Sequence, residues 1–364
     1  MTTTAGRIVI VHNRFQLGRS AWKFITAGTV IGILSTICII YCAPYLYLFM
    51  TSFKSAGQLS EPTSPLWPAD AATFNYQGKD LTLYDVPVLN QSGSTETRTL
   101  ALLQPSRDSA TFIDPQNPDA APIKWQGRIR TLDKVFVPNW HPENYVAAAQ
   151  ASDLPRLLLN TLVVAIVGAL GAVSSAALVA YGFTRFRIPF GEILFIIVMS
   201  TIILPVQVTI IPTFILFQRI GWIGTLIPLI LPHFFGNAYN IFLLRQYFMG
   251  MPFELDEAAK VDGASPWQVF TQIILPNSRT ALAAVFLLHF LFAWNDFYAP
   301  LIFLSGNPNS YVVSLGLERF LQLHSSQPNL LAGASLLVMI VPLVLFFLAQ
   351  NIFMQGIVLT GVEK

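Results

Sequence analysis

Residues 257–276 read EAAKVDGASPWQVFTQIILP and form a polar, well-punctuated segment between two long apolar runs. Pro252 and the three acids that follow it favour the first turns of a helix. Proline has no N–H that would need a partner there, and acids complement the positive end of the helix dipole. Gly263 is placed to end this helix in a left-handed turn, which glycine adopts without steric cost.

A second helix start follows immediately. Ser265 is a typical N-cap, Pro266 suits the first helical position, and Gln268 can reach back to complete a capping box. Leu275 and Pro276 end the second helix. The segment therefore predicts a compact helix–turn–helix between apolar runs, which indicates a docking element for another subunit.

Six apolar runs are long enough to cross a bilayer, whose hydrocarbon core requires roughly 20 helical residues. They are residues 24–50, 157–183, 190–217, 224–244, 280–304 and 330–353. The first run is too long for a signal peptide and lacks a small-residue cleavage pattern, so we expect it to be retained. The sequence predicts an all-α polytopic membrane protein with six transmembrane helices.

The basic residues of the short connections predict the direction of insertion, because Lys and Arg concentrate on the cytoplasmic side. One side collects Arg7, Arg14, Arg19, Lys23, Arg185, Arg187, Arg245, Lys260, Arg279 and Lys364. The short loops of the other side hold only Arg219 and Arg319. We therefore expect the N-terminus, the 257–276 segment and the C-terminus in the cytoplasm, and the long loop 51–156 outside.

The composition excludes several classes of function. With 54% hydrophobic and 11% charged residues, the chain lies outside the balance of soluble proteins. Its net charge of +2 argues against a nucleic-acid partner. The five histidines lack metal-ligand spacing, and Gly78-Lys79 lacks the rest of a phosphate-binding loop. We expect no catalytic residues, no metal, no cofactor and no ATP hydrolysis by this chain alone.

Cys38 and Cys42 lie four residues apart in the first apolar run. A redox or metal-binding pair and two small apolar side chains on one helix face are both compatible with this spacing. The second interpretation is favoured, because no histidine or acid lies nearby in the sequence.

The 257–276 segment resembles the EAA signature of ABC importer permeases. The signature positions are Glu257, Ala258, Ala259, Gly263, Ile273, Leu275 and Pro276. The flanking text, LLRQYFMGMPFELDEAAKVDGAS and FAWNDFYAPLIFL, resembles the MalG-like branch of the carbohydrate-uptake family. The resemblance extends from residue 157 to the C-terminus, and more loosely over the first span. It does not cover most of residues 72–134.

The resemblance implies that the first helix of the segment enters a cleft in a separate ATPase subunit. The coupling residues would be Glu257, Ala258, Ala259, Asp262, Gly263, Leu275 and Pro276. Glu257 would form a charged hydrogen bond with the ATPase, and the two alanines would keep the helix slim. Asp262 would cap the helix or contact the partner. The alternative role for Glu257 is stabilisation of the helix dipole, worth about 0.3–1 kcal/mol.

The partners implied by the resemblance are a MalF-like second permease, two ATP-binding cassette subunits, an external solute-binding protein and the surrounding lipid. The cargo would be a sugar or oligosaccharide. The family's C-terminal tail reaches the ATPases, but Glu363 here interrupts its usual glycine-valine-lysine-glycine ending and the last glycine is absent. A contact between tail and ATPase is therefore less well supported.

Asp296 is an acid within the predicted span 280–304, roughly 24 Å along a helix counted from Thr280. It is a candidate for the translocation path, with Asn295 and His289 beside it, since intramembrane acids usually face a wet cavity or a partner. Structural hydrogen bonding within the bundle is the competing interpretation for all three residues.

The predicted organisation is a cytoplasmic tail (1–23), a first transmembrane helix (24–50) and an external loop (51–156). These are followed by a five-helix core (157–353), which contains the coupling loop 247–279, and then by a cytoplasmic tail (354–364). Within the external loop, residues 81–83, 97–103 and 110–113 are short β-prone runs, which predict a small β-rich insert. The insert (72–134) is either a contact surface for the binding protein or partner permease, or a solvated decoration.

Other transport classes remain as alternatives. A permease for a cargo other than sugar would carry the same signature, because the signature identifies an ABC importer and not the solute that it transports. A secondary transporter would require ionisable groups within the membrane and usually shows an internal repeat. A channel has no need of a cytoplasmic docking element.

Overall fold

The computed structural model describes residues 19–89, 95–325 and 327–358. It comprises a helical bundle and an antiparallel β-insert that follows the first helix. The α-helices are α1 (Arg19–Ser52), α2 (Ala56–Leu59), α3 (Glu143–Ala151), α4 (Leu154–Arg185), α5 (Gly191–Ser200), α6 (Val206–Arg219), α7 (Ile227–Ile230), α8 (Ala238–Met249), α9 (Glu254–Val261), α10 (Pro266–Gln268), α11 (Leu275–Asn277), α12 (Arg279–Asn295), α13 (Tyr298–Phe303), α14 (Val313–Leu323) and α15 (Pro328–Val358).

Four helical segments in the described residues are long and apolar enough to span a membrane. They are Trp22–Ser52, Leu154–Arg185, Ile227–Met249 and Pro328–Gln350. Two further pairs meet the same criterion only as bent units, namely Gly191–Ile203 with Gln207–Arg219 (93°) and Pro266–Asn277 with Arg279–Asn295 (77°). The prediction of several long apolar helices is confirmed, whereas six crossings result only if each bent pair is one span.

The predicted third span is not a single straight helix, and its sequence explains the bend. After α5, residues Thr201–Ile203 form a 3₁₀ turn, and Leu204 adopts an extended conformation (ψ 117°) before Pro205. A residue before proline is pushed out of the helical region by the proline ring. The chain therefore turns at Leu204 and restarts as α6.

The predicted fourth span is also discontinuous. The α7 helix leads into a 3₁₀ segment, Leu231–Phe235, and Gly236 has a φ of 84°, which is favourable for glycine. Asn237 then caps α8 by accepting a hydrogen bond from the Asn240 amide (3.2 Å). This local arrangement allows the helix to break and restart within one apolar run.

The long helix α4 forms the centre of the bundle and packs against α8 and α12. Its buried face consists largely of small residues, Ala165, Gly168, Ala169, Gly171, Ala172, Ala176, Ala177 and Ala180. Small side chains let neighbouring helices approach closely in the absence of a strong hydrophobic driving force between them. This face brings α8 and α12 close to α4.

The described residues of the β-insert form eight strands. They are β1 (Ala69–Ala71), β2 (Thr73–Tyr76), β3 (Lys79–Leu89), β4 (Thr95–Pro105), β5 (Ser109–Ile113), β6 (Ile123–Gln126), β7 (Asp133–Lys134) and β8 (Phe136–Pro138). Strands β2 to β6 form an antiparallel meander, with β7 paired to β3. The predicted β-prone runs fall within β3, β4 and β5, so the prediction of a β-rich insert is confirmed.

The insert has its own small apolar core, in which Val86, Leu100 and Phe112 are fully buried and Tyr84 packs against Phe112. Its two ends are joined, because the entering strand β1 pairs with the leaving strand β8 in antiparallel register, Ala69 opposite Pro138. A Lys134–Glu61 ion pair adds a further contact at this base.

A three-residue cluster connects the base of the insert to α3. His141 Nε2 lies 2.9 Å from Asp70 Oδ2 and its Nδ1 lies 2.6 Å from Glu143 Oε1. Partial burial disfavours charge on the ring, but hydrogen bonds to Glu143 and Asp70 outweigh it and raise the pKa of His141 above 6.5. Burial likewise opposes the charge on Asp70, and hydrogen bonds from Asn139, Ser55 and His141 outweigh it and lower its pKa below 3.8.

These shifts predict a pH window for the cluster. The His141 contribution is complete below 6.5 and is lost as pH rises through its raised pKa, while the Asp70 contribution is lost as pH falls below 3.8. We expect the difference in melting temperature between wild type and His141→Gln to be larger at pH 5.5 than at pH 9. Thermal unfolding of the detergent-solubilised protein measures it, and an equal difference at both pH values would contradict the ion-pair assignment.

Candidate coupling site

Helix α9 has the start and the end that its sequence predicts. Its first turn carries Glu254, Asp256 and Glu257. At its end, the Gly263 amide donates to Lys260 O (3.0 Å) and the Ala264 amide donates to Ala259 O (2.9 Å). Together with a φ of 82° at Gly263, these two bonds form a Schellman motif. The predicted left-handed turn is confirmed.

The second helix start is also confirmed. The Ser265 amide donates to Gln268 Oε1 (2.8 Å) and the Gln268 amide donates to Ser265 Oγ (3.3 Å), which completes the capping box. After α10 the helix continues as a π-helical segment, Val269–Ile274, before α11. The segment predicted as one regular helix is thus a helix with a π-turn in its middle. It ends at Asn277, one residue beyond Pro276.

The helix–turn–helix is anchored to the bundle by an apolar cluster. Ala259, Val269, Phe270 and Ile274 pack against the C-terminal end of α4, where the Tyr181 ring lies tilted against the Phe270 ring with 4.9 Å between the centroids. The Tyr181 hydroxyl also donates to the Pro266 carbonyl (2.9 Å). The loop is therefore part of the folded core and not a free connection.

The two faces of α9 differ sharply. Ala259 and Asp256 are buried against the bundle, whereas Glu257, Ala258 and Val261 are exposed, Val261 to 88%. Asp262 and Gly263 extend the exposed face at the turn. The exposed side of α9 thus presents the Glu257 carboxylate next to the apolar side chains of Ala258 and Val261.

The structure brings only part of the predicted coupling set to this surface. Glu257, Ala258, Asp262 and Gly263 lie together on it, whereas Ala259 packs inward. Leu275 and Pro276 are half-buried in the segment that leads back to the bundle. The small side chain of Ala259 therefore allows close packing of α9 on the bundle, and its predicted role toward a partner stays a prediction.

A buried ion pair at this site was not predicted from the sequence. Arg185, the last residue of α4, places its Nε 2.9 Å from Asp256 Oδ2, and both side chains are under 5% exposed (3% and 4%). Its Nη2 donates to the Met251 carbonyl (3.1 Å), and its guanidinium lies over the Phe253 ring at 4.3 Å. The sequence signal for this pair was weak: Arg185 is a basic residue at the end of a predicted span, and such residues indicate the direction of membrane insertion as readily as an ion pair.

The candidates for the translocation path occupy different environments. His289 is 5% exposed and is hydrogen-bonded to Asn240 (3.1 Å) and His233 (3.0 Å). Asn295 is exposed and donates to the Leu291 carbonyl in its own helix. Asp296 follows α12 and accepts a 3.4 Å hydrogen bond from the Ala299 amide at the start of α13. Their roles in transport stay predictions.

Comparisons with known proteins identify the chain's relationships. A probable ABC transporter permease protein of Pyrococcus horikoshii is 33% identical over 246 residues, 65% of this chain and 89% of that protein. The sn-glycerol-3-phosphate transport system permease protein UgpE of Pectobacterium atrosepticum is 36% identical over 204 residues, which are 56% of this chain and 72% of that protein. The alpha-glucoside transport system permease protein AglG of Rhizobium meliloti is 31% identical over 232 residues, which are 62% of this chain and 61% of that protein.

The fold is shared with a bacterial ABC transporter involved in the import of the acidic polysaccharide alginate. The TM-score is 0.60 at 18% identity, over 92% of this chain and 97% of that chain. Residues 172–358, which contain α9 and its turn, match the family described as binding-protein-dependent transport system inner membrane component. The chain belongs to this family of inner membrane transport components.

Proposed function

We propose that this chain is one of two permease subunits of an ATP-driven importer and forms half of the translocation path for a sugar or oligosaccharide. The observation that carries the proposal is the exposed face of α9, Glu257, Ala258 and Val261, held on a rigid helix–turn–helix. A rigid, exposed docking helix fits a subunit that receives motion from an ATPase. The chain itself supplies the path and not the hydrolysis.

The assembly implied by this function has four further components. A second permease completes the path, and a solute-binding protein delivers cargo from the outside. Of the two ATPase subunits, one would dock at α9 of this chain and the other at the corresponding helix of the second permease. We place α9 and both termini in the cytoplasm, on the basic side of the membrane. Residues 1–18 and 359–364, with most of the basic N-terminal tail and the Glu363 ending, lie outside the described residues.

We further propose six crossings, with α5 and α6 counted as one bent span and α12, continued by α13, as another. The segment Pro266–Asn277, which forms the bent pair with α12, would then remain in the coupling loop outside the membrane. Non-helical backbone at membrane depth is tolerated only where protein or water covers it. The breaks at Leu204 and Gly236 would therefore face the second permease or the path, and not lipid. Asn295 and Asp296 would lie at the outer end of that path, and His289 would support it from within the bundle.

The cargo assignment rests on relatives and is open to a direct test. The alpha-glucoside permease supports a sugar, whereas the sn-glycerol-3-phosphate permease supports the alternative of a cargo that is not a sugar. We expect the reconstituted complex to take up labelled maltotriose in an ATP-dependent way, with hydrolysis stimulated by the sugar-loaded binding protein.

The same assay separates the alternatives. Labelled sn-glycerol-3-phosphate, supplied in place of maltotriose, would be the better substrate if the importer handles cargo other than sugars. Uptake that persists without ATP, or that follows an imposed ion gradient, would contradict the ATP-driven mechanism and favour a secondary transporter or channel.

A further inference from the structure

The buried ion pair between Arg185 and Asp256 joins α4, a helix of the bundle, to α9, the helix proposed to dock with the ATPase. Asp256 is buried in α9, and its neighbour Glu257 lies on the exposed side of the same helix. Arg185 ends α4, the helix that packs against α8 and α12 in the centre of the bundle. Seventy-one residues of sequence separate the two side chains, so the pair is a tertiary link and not a local cap.

Three contacts from Arg185 converge on the residues that lead into α9. Besides the ion pair, Nη2 donates to Met251 O and the guanidinium stacks over Phe253. A planar guanidinium can make such contacts in several directions at once, which a lysine ammonium cannot do with the same geometry. Arg185 therefore fixes the position and the orientation of the start of α9.

The pair is poorly satisfied for a buried ion pair. Among the described residues, Asp256 Oδ1 and the Nε and Nη1 atoms of Arg185 are buried without a hydrogen-bond partner, although Nε lies 2.9 Å from Asp256 Oδ2. Buried charges that are incompletely hydrogen-bonded add little stability compared with well-packed apolar residues. Violations of this kind are expected at functional positions more than at purely structural ones.

From these observations we infer that Arg185 and Asp256 are positioning residues that form an ionic latch, through which displacement of α9 is passed to α4. The inference rests on the proposed docking of α9 with an ATPase. Glu257 would receive the force on the exposed face, and the latch would carry it to the bundle on the buried face. The attraction is strong at this site because water is excluded from it.

A latch that transmits force must keep α9 and α4 together when the ATPases close. Spin labels at Leu255→Cys and Gly182→Cys report this distance, because Leu255 is exposed on α9 and a Cβ at Gly182 would meet no atom of the described residues within 4 Å. Cys38 and Cys42 are replaced by serine in this background. We expect the same distance in nucleotide-free and vanadate-trapped complexes of the otherwise wild-type protein.

In Asp256→Asn we expect the two labels to separate in the trapped state. ATP hydrolysis should stay within about twofold of wild type while uptake falls at least tenfold, so the ATP hydrolysed per solute rises by a similar factor. The doubly apolar variant, Arg185→Met with Asp256→Leu, removes both charges and is expected to assemble normally. It should nevertheless show the same loss of coupling, because the ionic link is missing.

Two outcomes overturn the inference. One is a doubly apolar variant with wild-type label distances and wild-type uptake, which would make the pair a replaceable part of the packing. The other is an Asp256→Asn complex that transports normally. The Glu257→Ala variant in the same assay distinguishes failure of the latch proposal from failure of the docking proposal. If only Glu257→Ala loses uptake, α9 docks but the latch is not required, and if Glu257→Ala transports normally, the docking proposal itself fails.

Discussion

Replacement of Glu257 by alanine is expected to lower uptake by the reconstituted complex at least tenfold while the complex still inserts in the membrane. The carboxylate lies on the exposed face of α9 and makes no contact that the bundle requires. A hydrogen bond to a charged group across an interface contributes about 1.5–3 kcal/mol, which corresponds to about one to two orders of magnitude in affinity for the ATPase. Uptake and co-purification of the ATPase measure the two effects.

Glu192→Ala is the matched control for this variant. Glu192 is also an exposed glutamate in the first turn of a helix, α5, so its removal costs the same helix-dipole stabilisation of about 0.3–1 kcal/mol. If Glu257 acts only on the dipole, the two variants will behave alike, and the docking role will be wrong. A large loss restricted to Glu257→Ala supports a contact with another subunit.

Replacement of Gly168 by leucine is expected to prevent stable assembly of the bundle. A Cβ at Gly168 would lie 2.8 Å from Cδ2 of His233, closer than van der Waals contact allows. The His233 ring cannot easily move away, because its Nδ1 is 3.0 Å from Nε2 of the buried His289. Overpacking costs about 1–3 kcal/mol, and separation of the histidines leaves buried polar groups unpaired at about 1–3 kcal/mol more.

Gly182→Leu in the same helix provides the comparison. A Cβ at Gly182 would meet no atom of the described residues within 4 Å, and both substitutions change the intrinsic helix propensity by the same amount. Thermal unfolding in detergent and the monodisperse fraction on size exclusion should be near wild type for Gly182→Leu and strongly reduced for Gly168→Leu. Equal behaviour of the two variants would mean that the small-residue face of α4 is not tightly packed.

The features of the coupling loop that were predictable are those encoded locally. Gly263, Ser265 and Gln268 each act within three residues of their own position, so the left-handed turn and the capping box could be predicted without knowledge of the rest of the chain. The β-prone runs of the insert were predictable for the same reason. The helix break before Pro205 also has a local cause, but a long apolar run masked it.

The features that escaped prediction depend on distant partners. Arg185 and Asp256 meet only after α4 and α9 have packed, and His233 and His289 meet only across the bundle. The inward direction of Ala259 depends on which face of α9 the bundle covers. Periodicity over eight residues does not determine this, since Asp256 shares the buried face with an alanine.

The pairing of β1 with β8 has a consequence for how this chain can be altered and how it could have grown. Because Ala69 and Pro138 sit side by side, everything between them leaves and re-enters the protein at nearly one point. A foreign domain, an affinity tag or a short turn could be spliced in place of residues 73–134 without changing the spacing of the helices on either side. We therefore expect the insert to behave as a separable unit, whose replacement leaves the geometry of the helical bundle unchanged.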